Sequence, residues 1–275
     1  MINLFNYIER PSPIHALTGA SKLVCLLAWS VAAMTSFNTP LLVFMTLAAF
    51  VLFRMAKLKI SDISVVLALM GIYIVMNNVL IYIFSPEHGC SIYESRTVLF
   101  TIVGRYTVTA EQLFYHLNVV LKNACTVPIV LLFVCTTNPS EFAASLNKIG
   151  VSYKIGYAVA LALRYIPDIQ REYRDISQAQ QARGVEMSSK KASVTERLKA
   201  AGAILIPLIL SSMDRIETIS NAMELRGFGK NPKRTWYMSR KCSKADIAFM
   251  AGSILLMVIS LLLTSFTGRF YNPFI

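Results

Sequence analysis

Two arginines, Arg183 and Arg226, are the residues whose type and spacing best suit specific chemistry. Each stands near the end of a repeated phrase: ISQAQQARG at 176–184 recurs as ISNAMELRG at 219–227, forty-three residues later. The copies share Ile, Ser, a side-chain amide, Ala and the Arg-Gly pair. The planar guanidinium of arginine can bind a carboxylate through two parallel hydrogen bonds, which lysine cannot do. The repeat therefore predicts two equivalent sites that recognise acidic groups.

Catalytic chemistry is not indicated by the remaining motifs. The sequence has no GxxxxGK[ST] phosphate loop, no HExxH and no Gx[ST]xG serine elbow. The three histidines, His15, His88 and His116, are isolated from one another and from the cysteines. Five cysteines are scattered, mostly in apolar runs and without a CxxC pair, at Cys25, Cys90, Cys125, Cys135 and Cys242. We expect no catalytic site, no metal site and no cofactor in this chain.

The composition indicates that these arginines belong to a membrane protein. Of 275 residues 55% are hydrophobic and only 15% charged, and the mean hydropathy is +0.53, which is too apolar for an ordinary soluble domain. A helix needs about 20 mostly apolar residues to cross a bilayer. The apolar runs predict five membrane helices, of which the first two form a tight hairpin: Lys22 to Phe37, Pro40 to Phe53, Ile63 to Ser85, about Thr109 to Cys135, and Ala245 to Gly268.

The positive charge predicts how the chain is oriented in the cell membrane. The net charge is +12, and segment 136–244 holds 18 of the 27 Lys and Arg, whereas segment 86–117 has two basic and three acidic residues. Because basic loops stay in the cytoplasm, we expect the N-terminus inside and both segment 86–117 and the C-terminus outside. Contact with anionic lipid accounts for the basic residues, so no nucleic-acid partner is expected. The outside segment contains RTVLFTIVGRYTVT, a small hairpin or irregular lid broken at Gly104.

Three regions follow from this reading of the chain. Residues 1–135 form a leader and membrane helices, residues 136–244 a cytoplasmic region with both Arg-Gly motifs, and residues 245–275 the last membrane helix and a short tail. Lys122, within or near the fourth membrane helix, is either a functional cation or a side chain that extends to the interface.

The cytoplasmic region contains two matched amphipathic helices. Apolar residues recur at helical spacing before each Arg-Gly pair, while charged residues, Glu172 and Arg215 among them, fall on the other faces. The apolar faces are Ile166, Ile169, Tyr173, Ile176 and Gln180 in the first helix, and Met213, Ile216, Ile219 and Met223 in the second. We expect each helix to stop at its glycine, Gly184 or Gly227, because glycine readily takes the left-handed conformation that closes a helix.

Capping alone is the simpler explanation of either motif. An arginine in the last turn stabilises a helix by roughly 0.3 to 1 kcal/mol through the helix dipole. Capping does not require the Ile-Ser-amide-Ala lead-in, however, and both copies carry it. Small residues one turn earlier, Ala179 and Ala222, leave room for a partner surface. Two equivalent helix ends predict two equivalent sites on a pseudo-twofold or homodimeric cytoplasmic partner.

Over nearly its whole length the sequence resembles the transmembrane T component of energy-coupling factor (ECF) transporters, the family that includes the cobalt-transport protein CbiQ. The paired Ala-Arg-Gly motifs carry the resemblance, with Leu225 where the second motif often has alanine. Thr18, Gly19 and Ala20 also replace the family's frequent Asp-Pro-Arg. The other matching stretches are HALTGASKL (15–23), CTTNPSEFAASL (135–146), ALRYIPDI (162–169) and AMELRGFG (222–229).

The resemblance implies an L-shaped, all-α polytopic membrane protein with two long coupling helices. Its partners would be two ABC-type ATPase subunits, identical or different, which bind ATP and Mg, and a substrate-binding S component for a vitamin or metal ion. The chain itself would be non-catalytic. The residues implied in ATPase coupling are Ala179, Ala182, Arg183, Gly184, Ala222, Leu225, Arg226 and Gly227.

Two other classes of protein fit the sequence less well. A self-contained secondary transporter needs polar residues at mid-membrane and often a repeat among its spans, whereas the repeat here lies in the cytoplasmic region. A membrane-embedded enzyme needs a nucleophile, a base and an orienting group, and the sequence offers no such set.

Overall fold

The computed structural model describes residues 10–58, 60–103, 106–185, 194–231, 235–236, 240–268 and 270–271. The chain forms two compact units, one of Met1–Ser145 with Arg240–Ile275 and one of Leu146–Ser239. Described residues are almost entirely helical, which confirms the predicted all-α class. The elements are α1 Pro13–Ala16, α2 Gly19–Thr35, α3 Thr39–Met55, α4 Ile60–Phe84, α5 His88–Tyr93, β1 Val98–Val103, β2 Tyr106–Thr109, α6 Ala110–Thr136, α7 Pro139–Lys148, α8 Tyr153–Ala182, α9 Val194–Leu225 and α10 Lys244–Thr267.

All five apolar runs form helices, namely α2, α3, α4, α6 and α10, with ends shifted by a few residues. Among the described residues, three helical stretches are long and apolar enough to cross a bilayer: Ser64–Phe84, Ala110–Thr136 and Lys244–Thr267. Helices α2 and α3 are shorter, at 17 residues each. The predicted turn between them contains Asn38, whose side chain accepts a hydrogen bond from the backbone N–H of Leu41 at 3.3 Å and so caps α3.

Helices α2 and α10 run parallel in a constant register. The backbone N–H of Thr18 donates to Asp246 Oδ1 at 2.7 Å, and Ser260 Oγ donates to the Ala32 carbonyl at 3.0 Å. Both pairs are 228 residues apart, so the register is kept over fourteen residues, or about 21 Å of helix. The first and last membrane helices are therefore direct neighbours.

The contacts of α6 fix its direction within the first unit. Lys22 Nζ donates to the Thr136 carbonyl at 2.8 Å, so the end of α6 lies beside the start of α2. Near the start of α6, His116 Nδ1 lies 2.8 Å from Asn78 Oδ1 on α4. The C-terminal end of α6 therefore lies on the same side of this unit as the starts of α2 and α10. The predicted alternation of spans requires this arrangement.

Lys122 lies within α6, as predicted, and its ammonium group contacts other groups of the same chain. Its Nζ donates to the Met34 carbonyl at 3.0 Å and lies 3.4 Å from the ring centroid of Phe37. Because the last carbonyls of a helix carry partial negative charge, an ammonium group is stabilised at the end of α2. A contribution to packing the α2–α3 turn therefore accounts for this cation.

The hairpin predicted in segment 86–117 is confirmed as β1 paired antiparallel with β2. The predicted break at Gly104 lies outside the described residues. Next to the hairpin, α5 packs on α6 through Gly89, whose backbone N–H donates to Gln112 Oε1 at 2.6 Å.

Replacing Gly89 by alanine is expected to destabilise the first unit by about 1–3 kcal/mol through overpacking. An added Cβ would lie 2.6 Å from the Glu111 carbonyl oxygen and 2.7 Å from Gln112 Cα, both backbone atoms that cannot turn aside. Thermal unfolding in mild detergent measures the effect. Gly71→Ala on α4 is the matched control, since its Cβ would have no neighbour within 4 Å. Equal midpoints for the two variants would contradict this packing of α5.

Candidate functional site: the two Arg-Gly helix ends

The two long helices of the second unit carry the repeated phrase at their C-terminal ends. Helix α8 has 30 residues and α9 has 32, so each is about 45–48 Å long at the usual rise per residue. Helix α8 ends at Ala182 and α9 at Leu225, each one residue before the repeated arginine. The predicted helix ends are confirmed.

The end of α8 is a Schellman motif. The Val185 N–H donates to the Gln180 carbonyl at 3.0 Å, and the Gly184 N–H donates to the Gln181 carbonyl at 3.0 Å. Gly184 has φ +86°, a conformation that side chains with a Cβ rarely adopt. Since an added Cβ would meet nothing within 4 Å, the glycine is required by backbone conformation and not by space.

The end of α9 repeats this motif bond for bond. The Phe228 N–H donates to the Met223 carbonyl at 2.9 Å, the Gly227 N–H donates to the Glu224 carbonyl at 2.9 Å, and Gly227 has φ +62°. The shared sequence phrase thus encodes one shared backbone geometry. Each arginine is presented at the same position relative to its helix axis.

The side chains around both ends face outward. Arg183 and Arg226 are exposed, as are Ala179, Ala182 and Ala222. Leu225 is 90% exposed, an unusual position for a large apolar side chain. Across the described parts of the chain, neither arginine makes a side-chain hydrogen bond or ion pair. Both guanidinium groups are therefore unoccupied by any group in the described part of the chain.

Replacing Gly184 by valine is expected to destabilise α8 by at least about 1–2 kcal/mol, the cost of a left-handed conformation for a residue with a Cβ, with more for β-branching. The magnitude of the circular dichroism signal at 222 nm should fall as the end of α8 frays, and the midpoint of thermal unfolding should also fall. Gly202→Ala within α9 is the control, because this helical glycine has open space and alanine favours helix. Unchanged circular dichroism and an unchanged midpoint for Gly184→Val would contradict the capping role.

The two helices meet through polar side chains. Arg215 Nη2 donates to Glu172 Oε2 at 2.8 Å, and Ser211 Oγ donates to the other oxygen of the same carboxylate. The Glu172 and Arg215 side chains are 19% and 33% exposed. The Arg215 guanidinium also lies over the Tyr165 ring, 5.6 Å from its centroid. Glu172 and Arg215, predicted on faces other than the apolar one, form the contact between the helices, where their charges neutralise each other.

The apolar face predicted from spacing is not the face by which the helices meet. Ile166, Ile169 and Tyr173 are 39–48% exposed on α8, and Met213 and Ile216 are about 60% exposed on α9. Ile176 and Ile219, toward the arginine ends, are half-buried. Much of the apolar face therefore remains uncovered.

The second arginine end lies alongside the start of α8. The Phe228 ring lies 5.6 Å from the Tyr153 ring and 4.9 Å from the Tyr157 ring, measured between centroids. Residues 153 and 157 are at the opposite end of α8 from Arg183. The two Arg-Gly ends therefore lie on opposite sides of the point where the helices cross.

Metal and cofactor sites find no support in the described residues, which contain no group of three or more His, Cys, Asp or Glu able to hold a metal ion. His15 contacts Ser12, His116 contacts Asn78 and Gln112, and His88 packs edge-on against Tyr115. Each histidine has a structural neighbour of its own.

Comparison with known proteins decides the family. The model of the cobalt transport protein family CbiQ matches residues 10–237. The chain belongs to the CbiQ family. Within this family it is 26% identical to the energy-coupling factor transporter transmembrane protein EcfT of Exiguobacterium sibiricum, over 96% of this chain and 98% of that protein. It is 29% identical to the EcfT protein of Streptococcus thermophilus, over 84% and 86% of the two chains.

A third relative of this CbiQ-family chain is longer. It is a putative ABC transporter ATP-binding protein of Bifidobacterium longum, 25% identical over 89% of this chain but only 31% of its own length. Taken with the apolar helices, these relationships show that the chain is the multi-pass membrane component of an ECF transporter. Its two Arg-Gly ends lie within the part that the family model matches.

Proposed function

We propose that this chain couples two cytoplasmic ATPase subunits to a substrate-binding S component. One observation carries the proposal: two helix ends with the same Schellman geometry each present an exposed arginine that no described group of the chain binds. A structural capping residue has no need for such a matched pair. Two matched ends suit two matched sites on a dimer of ATPase subunits.

Each end offers a polar and an apolar element to such a site. The guanidinium group of Arg183 or Arg226 binds an acidic side chain, and the small Ala179 or Ala222 one turn earlier lets the partner surface approach. The exposed Leu225 adds apolar contact at the second end, where Ala182 stands at the first. This difference suits either two different ATPase subunits or one kind of subunit with an adaptable groove.

The partner's ATP-hydrolysing role is supported by the Bifidobacterium longum relative. Its name is that of an ATP-binding protein, and this chain matches 31% of it. Since the sequence here has no phosphate loop, ATP and Mg are bound by the partner ATPases. Movement of those subunits on ATP binding and hydrolysis shifts α8 and α9, and the membrane helices pass this movement to the S component.

The orientation follows from the charge distribution. Segment 136–244 with its 18 basic residues faces the cytoplasm, where the ATPases are, and the N-terminus lies on the same side. The C-terminus lies outside. The regions 1–135, 136–244 and 245–275 then serve as membrane part, coupling region and final span.

Substrate specificity resides in the S component, and the transported compound is a vitamin or a metal ion. The apolar surfaces of α3, which include Phe44, Leu47 and Phe50 at 59–64% exposure, face lipid or this membrane partner.

Affinity purification of the tagged chain from its native host in mild detergent, with mass spectrometry, tests the proposal. We expect proteins with phosphate-loop motifs together with a small membrane protein, whose identity would indicate the substrate. A self-contained secondary transporter is the alternative. It would be supported if no ATPase is captured and the purified chain in liposomes moves a solute down an ion gradient.

A further inference from the structure

Glu172 and Arg215 occupy the same position in the two copies of the repeat and also contact each other. The repeated phrases are offset by forty-three residues, and the hydrogen-bonded pair is likewise forty-three residues apart. When two elements are related by a twofold axis, a residue can touch its own equivalent only close to that axis. The pseudo-twofold axis of α8 and α9 therefore passes through this ion pair.

Neighbouring positions follow the same relationship. Tyr165, Glu172 and Ile176 are half-buried on α8, and their equivalents Leu208, Arg215 and Ile219 are half-buried on α9. Equivalent positions are thus turned inward in both helices. The symmetry extends along about three turns and does not depend on one contact.

The arginine ends are equally far from this axis. Eleven residues separate Glu172 from Arg183, and eleven separate Arg215 from Arg226, which corresponds to about 16 Å of helix on each side. Because Phe228 packs beside Tyr157, at 4.9 Å between ring centroids, the two ends extend in opposite directions. Their separation is therefore set by one crossing point, and along the helix axes it amounts to at most about 33 Å.

We propose that the Glu172 carboxylate, held by Arg215 and Ser211, is a pivot that keeps the two Arg-Gly ends at the spacing of the two ATPase sites. These are positioning residues and do not bind the ATPases. The inference rests on the proposed function for its biological role, while the geometry it predicts is a property of this chain alone. A half-buried carboxylate with two donors on the facing helix resists sliding and rotation more than apolar contacts, because hydrogen bonds are directional.

Pulsed electron–electron spin resonance on the purified full-length chain tests the geometry. Nitroxide labels are placed at the exposed equivalent positions, as Gln181→Cys and Glu224→Cys, with Cys90 and Cys242 replaced by serine. Each label lies nine residues from the pivot residue of its own helix, so the labelled Cα atoms are expected at up to about 27 Å. The unaltered pivot should give one narrow distance distribution.

Glu172→Gln is expected to at least double the width of that distribution, since it removes the charge while keeping the side-chain size. The exchange Glu172→Arg with Arg215→Glu should narrow the distribution again in part, because the ion pair re-forms with its charges reversed, although Asp168 stands on α8 where α9 has Ser211. Arg171→Gln, on the same helical turn, is the control. Its ion pair with Asp168 is long, at 3.9 Å, and the Arg171 side chain is 74% exposed, so its loss should not change the helix crossing. If Glu172→Gln unfolds the chain, Arg215→Lys is the substitute variant, because it keeps the positive charge but loses the planar guanidinium group.

Capture of ATPase subunits is the second readout. Both arginine ends are intact in Glu172→Gln, yet we expect about tenfold less captured ATPase, with partial recovery in the exchanged variant. An unchanged distance distribution, or an exchange that fails to narrow it again, would overturn the pivot. A broadened distribution with wild-type ATPase capture would overturn the positioning role. If the wild type captures no ATPase, the proposed function fails, and the distances still decide whether the pivot exists.

Discussion

Reversing both arginines, Arg183→Glu with Arg226→Glu, is expected to abolish ATPase capture while the chain still inserts into the membrane. If each arginine binds a carboxylate at the centre of an interface, removing one partner costs about 2–5 kcal/mol, because the other charge stays buried and unpaired. Since each 1.4 kcal/mol is about a tenfold change in affinity, two such losses with added repulsion exceed what the rest of the interface can offset.

The matched control is Arg171→Glu with Arg174→Glu. It changes two exposed cations of α8, with the same change in net charge, at least nine residues before Arg183. ATPase recovered per tagged chain in mild detergent is the measurement, and membrane-fraction yield reports insertion. The coupling role is wrong if the end variant assembles and transports as the control does.

Replacing Asp246 by alanine is expected to have the largest effect on stability, because each buried donor left unsatisfied costs about 1–3 kcal/mol and several lose their acceptor at once. Asp246 is 1% exposed. Its Oδ1 accepts from the Thr18 N–H, Thr18 Oγ1 and Ser21 Oγ at 2.7–3.0 Å, and its Oδ2 accepts from the Ser243 N–H and Oγ at 2.8 and 2.9 Å. The carboxylate also stabilises the start of α10 through the helix dipole.

Thermal unfolding in detergent measures this loss, with two variants for comparison. Asp246→Asn keeps the shape but turns an acceptor into a donor against Thr18, Ser21 or Ser243, so it should recover little of the stability. Ser260→Ala, further along α10, removes a single hydrogen bond to the Ala32 carbonyl and should cost only about 0.5–1.5 kcal/mol. Equal midpoints for Asp246→Ala and Ser260→Ala would show that the carboxylate does not hold α2 to α10.

The parts of the fold that sequence reasoning predicted are those set by neighbouring residues. Apolar length located five helices, three of them long enough to cross a membrane, and the glycines at 184 and 227 located two helix ends, because hydrophobicity and positive φ are local properties. The exposed arginines were likewise predicted from a local phrase. Their binding of acidic partner groups stays a prediction.

The parts that were missed depend on residues far apart in the chain. Thr18 was noted only as a departure from the family pattern and Ser21 only as part of a matching stretch, yet both bind Asp246, more than two hundred residues later. Glu172 and Arg215 look like solvent-facing charges when each helix is considered alone. The sequence did contain a signal for the contact between Glu172 and Arg215. The repeat offset places their opposite charges at equivalent positions, as expected for two residues that meet across a twofold axis.

The parallel register of α2 and α10 also sets the order in which this protein can mature. The donors on Thr18 and Ser21 have no carboxylate until residue 246 has been synthesised, and at about 5–20 residues per second that takes roughly 11–46 s after the first helix emerges. During this interval α2 carries unsatisfied polar groups next to the membrane. A chain that stops before α10 therefore has no acceptor for these donors, and its first helix cannot reach its final packing.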